Sequence, residues 1–234
     1  MKKRFITFLF LITAVSGMMA QNVNKKDSNG KRDGLWKGVY ETTKKPRYEG
    51  TFNHGTETGT FKFFADDAQS SLMATRKFEA DGSCYTIFVD PAGMKVSEGR
   101  EVNHLQEGEW KYYHKNSKAV MSVEKYKQGK LDGLRKVFFE MGEIAEEANY
   151  VNGIRQGAYK KFNVKGVVLE EANYKNDNLS GQATYRDSDN NIVSQGVYTD
   201  GLKTGIWKFY EKGKLVKEQN MSAKRKSKPK KATN

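Results

Sequence analysis

Few side chains in this sequence of 234 residues could do chemistry, and their spacing decides what kind. The single cysteine, Cys84, would need a histidine base brought close by folding to act as a nucleophile. A buried free thiol in a strand is the simpler reading, because free cysteine is among the most buried residue types. His54, His104 and His114 show no metal-ligand spacing and are read as surface histidines. One cysteine also excludes a disulfide framework and a cysteine-clustered zinc site. The acidic pairs Glu146-Glu147 and Glu170-Glu171 could pass for catalytic carboxylates, yet they recur one repeat apart, and alternate residues of a strand face opposite sides. One glutamate of each pair is therefore expected in solvent. The glycines mark turns between strands and never a strand-to-helix phosphate loop, so no nucleotide or other cofactor is expected.

The remaining chemistry is charge. Lys224, Arg225, Lys226, Lys228, Lys230 and Lys231 put six positive charges into eight residues near the C-terminus. A run of this kind is read as a disordered tail over 221–234 and a candidate contact for anionic lipid or polysaccharide, at about 1 kcal/mol per near-surface charge. The formal net charge is +13; the tail carries six of it and residues 1–20 three, which leaves the body mildly basic. Nucleic acid is an unfavoured partner, because the tail lacks interleaved aromatics. Residues 1–20 begin with Lys2, Lys3 and Arg4, continue with an apolar run from Phe5 to Val15 and end in small residues at Ala20. This is the pattern of a secretory signal peptide. The run is too short to span a bilayer, which takes roughly 20 residues, so the mature chain is expected to have no transmembrane span and to be periplasmic, envelope-associated or secreted.

The elements that position these residues are set by an internal repeat. Gly34, Gly59, Gly82, Gly108, Gly133, Gly157, Gly181 and Gly205 precede aromatic-rich runs at spacings of 23 to 26 residues. A second column, Phe52, Phe78, Val102, Tyr126, Tyr150, Tyr174 and Tyr198, is spaced by 26 and then repeatedly by 24. Within a unit, period-two alternation predicts strands: Trp207 and Phe209 alternate with Lys208 and Tyr210, Gly213 interrupts, and a second run follows. Gly142, Gly166 and Asn190 recur at the internal turn; Asn152-Gly153, Asn176-Asp177 and Asp200-Gly201 mark the turn between units. A lone hairpin is marginal in water, so consecutive hairpins of about 24 residues must stack side by side. The expected fold is all-β, an elongated, twisted antiparallel sheet. Its domains are a leader over 1–20, a linker over 21–29, hairpin repeats over 30–220 with irregular units near 65–100, and the tail. The first-strand aromatics Trp36, Phe61, Trp110, Tyr159 and Trp207, with Arg135 and Ala183 as exceptions, form a candidate contact or packing column, each ring expected to pack on its counterpart in the next unit.

The pattern Tyr198-x-x-Gly201-x-x-x-Gly205-x-Trp207, echoed from Tyr126 to Gly133 and from Tyr150 to Tyr159, resembles the MORN (membrane occupation and recognition nexus) repeat, most closely its bacterial variant. Residues 65–100 keep the spacing and lose most of the motif, with Leu105 and Asp177 in place of turn glycines. The resemblance implies an elongated sheet of hairpins that serves as a scaffold for protein contacts. Lipid association is proposed for some relatives, and some bacterial members carry an antitoxin label. The expected function is an exported, non-catalytic scaffold that binds a protein or an envelope polymer through its sheet. The alternatives are peripheral binding to an anionic surface through the tail, an antitoxin-like inhibitor of a partner protein, and a hydrolase hidden between Ala65 and Gly99.

Overall fold

The computed structural model describes residues 23–222. The leader and the tail residues Lys224 to Lys231 lie outside that range. In chain order the strands are β1 (Lys25–Lys26), β2 (Arg32–Val39), β3 (Pro46–Asn53), β4 (Thr56–Phe64), β5 (Leu72–Phe78), β6 (Cys84–Val89), β7 (Lys95–Val102), β8 (Leu105–Tyr113), β9 (Val120–Lys127) and β10 (Lys130–Leu131). They continue as β11 (Gly133–Phe138), β12 (Ile144–Val151), β13 (Ile154–Phe162), β14 (Val168–Lys175), β15 (Asn178–Leu179), β16 (Gly181–Arg186), β17 (Ile192–Thr199), β18 (Leu202–Glu211) and β19 (Lys214–Asn220). All nineteen belong to one open antiparallel sheet in which strands pair with their neighbours in sequence. The short β10 and β15 are the first residues of first strands interrupted at Asp132 and Ser180.

Two turns generate the repeat. Between units, Asn152 (φ 52°) and Gly153 (φ 87°) both occupy the left-handed region, the requirement of a two-residue I′ turn whose twist matches the strands it joins. Gly157 (φ 92°) lies four residues on, where the β12–β13 register shifts; a glycine at positive φ is what such a bulge takes. Within each unit a second bulge precedes the internal turn, as between Tyr112 and Tyr113 opposite β9.

Several expectations are corrected by the pairing. Cys84 pairs with Glu101 where other units pair a glycine with a tyrosine, as Gly108 does with Tyr126 and Gly157 with Tyr174. Gly82 thus leaves the glycine column and Val102 the aromatic one. The reason is local: β5 and β6 are joined by a longer turn closed by Glu79 N–H to Ser83 O, and Gly82 is spent there. The turn glycine of the next unit is replaced by His104 (φ 62°), following Asn103 (φ 51°), while Leu105 already belongs to β8. Residues 65–100 remain in the ladder, and β5 pairs with β6 without a register shift. The linker expected over 21–29 contains β1, which pairs with Arg32 and Asp33.

Candidate interaction surface

Strict alternation along each first strand assigns every residue to a face. Trp110 lies on one side and Lys111 on the other, and residues directly opposite across a strand pair share a face. The first face, the ring face, carries the column Trp36, Gly50, Phe61, Arg76, Thr86, Gly99, Trp110, Glu124, Arg135, Ala148, Tyr159, Ala172, Ala183, Gly196, Trp207 and Gln219, strand by strand. Five first-strand positions hold rings, at Trp36, Phe61, Trp110, Tyr159 and Trp207, and five second-strand positions hold small residues, at Gly50, Gly99, Ala148, Ala172 and Gly196. A Cβ on Gly99 would stand 2.4 Å from the Trp110 ring, and one on Gly196 the same distance from Trp207, so each indole lies on bare backbone. The expected stacking of each ring on its counterpart is therefore corrected. Counterparts are two strands apart, roughly 10 Å, and each ring fills the gap by lying on the small residue between them. Some rings also meet a closing aromatic: Trp207 meets Tyr198 of the preceding unit edge to face at 5.1 Å, and Phe61 meets Phe52 of the preceding unit at 5.1 Å and Phe78 of its own at 5.4 Å.

Of the five column aromatics, Phe61, Trp110 and Trp207 are 1%, 1% and 0% exposed. They are packed and offer no surface. Trp36 and Tyr159 are half-buried; Trp36 donates its indole N–H to Lys25 O, and Tyr159 donates its hydroxyl to Glu146. The middle of the column is polar. Arg76 pairs with Glu101 at 3.3 Å, and Arg135 bridges Glu124 at 2.9 Å and Glu146 at 3.0 Å. Tyr126 donates to Glu124 and hydrogen-bonds Tyr112; burial first, then these two partners, push its phenol far above the ordinary tyrosine range.

The opposite face, the ladder face, is built from two rows. The first is a Lys/Glu ladder: Lys37 and Lys62 flank Glu49 at 3.7 and 3.1 Å, Lys136 meets Glu147 at 3.3 Å, Lys160 meets Glu171 at 3.4 Å, and Lys208 meets Glu218 at 3.7 Å. This separates the acidic pairs as their alternation requires, with Glu147 and Glu171 on the ladder and Glu146 and Glu170 on the ring face. Glu98 is the buried member: burial raises its carboxyl, but Lys95 at 2.8 Å and the Tyr113 hydroxyl outweigh that and hold it below the usual range. Tyr113, partly desolvated and hydrogen-bonded to Glu98, is pushed up to about 12. The second row was missed in the sequence. The directly opposed pairs Val39·Pro46, Phe64·Leu72, Tyr113·Val120, Phe138·Ile144, Phe162·Val168 and Tyr210·Leu215 lie beside the ladder and form an apolar stripe that is interrupted by a charge at Val89·Lys95 and at Arg186·Ile192. Val39 and Leu215 are each 50% exposed and the rest are at least part-exposed. Its signal was present as the residue three positions past the column residue of these first strands, at the same period of about 24.

Cys84 lies on the ring face, its Sγ 3.6 Å from Thr86 Oγ1 and 3.9 Å from Glu101. Burial pushes its thiol up, so it stays protonated at neutral pH and is a poor nucleophile. It lines a cleft of about 220 Å³ with Phe78, Glu101 and His104. His54 pairs with Asp27 at 2.8 Å, and His114 hydrogen-bonds Phe138 O. Among the described residues no cluster of three or more His, Cys, Asp or Glu is arranged to hold a metal, and no helix is long and apolar enough to cross a membrane.

No curated protein matches the chain. Residues 131–152, the hairpin of β11 and β12, match the family model of the MORN repeat variant. A matched hairpin set in a sheet of like hairpins supports the assignment of this chain to the MORN repeat family, and with it the coarse reading of a repeat-type binding scaffold.

Proposed function

We propose that the protein is an exported, non-catalytic scaffold that binds a protein or a cell-envelope polymer through the ladder face. The observation that carries this reading is the contrast between faces. The ring face spends its aromatics on its own backbone, whereas the ladder face leaves an apolar stripe exposed beside charges of both signs. A patch of apolar surface rimmed by charge is the usual mark of an interaction site, and its repetition gives a partner several equivalent footholds. Export rests on the leader pattern of residues 1–20.

The test is capture of partners from an envelope fraction by the full chain and by a variant carrying Lys136→Glu, Lys160→Glu and Phe162→Ser. These side chains lie on the ladder face, so the sheet spectrum should stay unchanged while capture falls by at least about tenfold, the effect of losing more than one 1.4 kcal/mol contact. Undiminished capture would reject this face as the site. The run Lys224 to Lys231 supports a second reading, attachment to an anionic surface. Co-sedimentation with anionic vesicles that survives deletion of residues 222–234 would eliminate it.

A further inference from the structure

The two ends of the sheet are not alike. At the first end, residues before β2 consume its outward backbone. Asn24 N–H donates to Leu35 O, its side-chain amide both accepts from Lys37 N and donates to Lys37 O, and β1 pairs with Arg32 and Asp33. Asp27 pins this segment by accepting from the Asn29 and Lys31 backbones and from His54. That edge is closed. At the other end β19 pairs with β18 alone, and among the described residues no strand covers its outer side. Met221 donates its N–H inward to Gly205 O at 2.8 Å. By the two-residue alternation of an antiparallel ladder, Gln219 and Lys217 also turn their backbone groups inward, and Glu218 and Asn220 turn theirs outward. Among the described residues the β19 edge thus presents free donors and acceptors, a template for strand addition.

We propose that this edge joins a second copy of the chain, β19 against β19 about a two-fold axis. Faces must match across such a pair, and the outward groups of Glu218 and Asn220 must meet each other. One register satisfies both without opposing like charges. It sets Gln219 against the partner's Gln219, Glu218 against the partner's Asn220, and Lys217 against the partner's Met221. A two-residue slip to either side opposes Glu218 with itself, or loses most of the overlap, and like charges opposed across strands are destabilising. The charges on β19 therefore deter other partners and registers while leaving this one open. Because the first end is capped, the assembly closes at two copies and does not grow into a fibre.

The test uses the chain as the cell produces it, in analytical ultracentrifugation across a concentration series. A reversible dimer with no larger species is expected. Glu218→Pro removes an outward N–H without touching the bonds to β18, and proline is tolerated on an edge facing solvent. It should weaken the dimer at least about tenfold, the loss of two backbone hydrogen bonds at about 1 kcal/mol each, with an unchanged sheet spectrum. Gln219→Cys should form an intermolecular disulfide readily, since opposed residues of a non-hydrogen-bonded pair have Cα atoms about 4.5 Å apart, and Lys217→Cys should not. A monomer at all concentrations, a dimer indifferent to Glu218→Pro, or continued growth beyond two copies would each overturn the proposal. The ladder-face variant should leave the dimer intact, so this result is independent of the partner-capture experiment.

Discussion

The last hairpins and the central ones share a backbone and differ in what fills it. Around β16 to β18 the ring face is Trp207 lying on Gly196, with Tyr198 edge-on. Around β5–β6 and β9–β11 the same positions hold Arg76, Thr86, Glu124 and Arg135, with Arg76 paired to Glu101 and Arg135 to Glu124 and Glu146, and Trp110 lying on Gly99 stands between these two polar stretches. The ladder runs through both without a break. The turn chemistry and the opening glycines therefore specify the repeat, and the column is filled either by rings or by a polar network in which Arg135 is tied to two carboxylates and Arg76 to one, the Arg76 Nε being buried without a partner. The two fillings are not equal in energy. Rings on backbone gain from burial outright, whereas charges removed from water must first recover their desolvation cost.

That inequality can be broken or sharpened by substitution. The largest effect is expected for Trp207→Ala, which empties a fully buried indole site and should cost about 3 to 5 kcal/mol in urea denaturation. Arg135→Ala should cost less, about 2 to 3 kcal/mol, because the Arg135 side chain is 27% exposed and water can reach the carboxylates it leaves. Replacing the network as a whole, with Arg135→Tyr and Glu124→Ala together, should be neutral or gain about 1 to 4 kcal/mol, since a central unit is thereby given the ring-on-small filling of the last. Loss of stability in that double variant would show that the polar centre is held by more than its volume. On the ladder face, Lys160→Ala should change stability by less than about 0.5 kcal/mol, as expected of an exposed pair.

The smallest effect concerns the cap at the first edge. The hydrogen bond to Asp27, followed by the charge of Asp33, raises the His54 imidazole above 6.5, and the bond to His54 lowers the Asp27 carboxyl below 3.8. The His54 contribution is complete below pH 6.5 and fades as the pH rises through its raised value; the Asp27 contribution is complete above pH 3.8 and fades as the pH falls through its lowered one. The cap should be tightest between about pH 4 and 6.5. Trp36, whose indole N–H bonds Lys25 O, reports it by fluorescence, and His54→Ala should abolish the alkaline limb while the acid limb persists in weakened form, because Asp27 still accepts from the Lys31 and Asn29 backbones.

Much of the fold was legible in the sequence because its signals are local. Asn152-Gly153 encodes a turn, Gly157 a bulge, and Trp207-Lys208-Phe209 two faces. The central units were harder to read, since Gly82 and Val102 kept the period while a longer turn shifted their roles to Cys84 and Glu101. The packing mode was illegible for a different reason. Trp110 meets Gly99 on the neighbouring strand, and that partner becomes visible only once the register is known. The apolar stripe escaped because Phe64, Tyr113 and Phe138 sit at the ends of strands, where a ring reads as part of the preceding aromatic run.

The most direct test of the ring-on-backbone core is a double-mutant cycle between Gly99→Ala and Trp110→Ala, followed by denaturant unfolding. A methyl placed 2.4 Å from the indole must displace it, so Gly99→Ala should destabilise the native chain by about 1 to 3 kcal/mol and cost almost nothing once Trp110 is alanine. Equal costs in the two backgrounds would contradict the account.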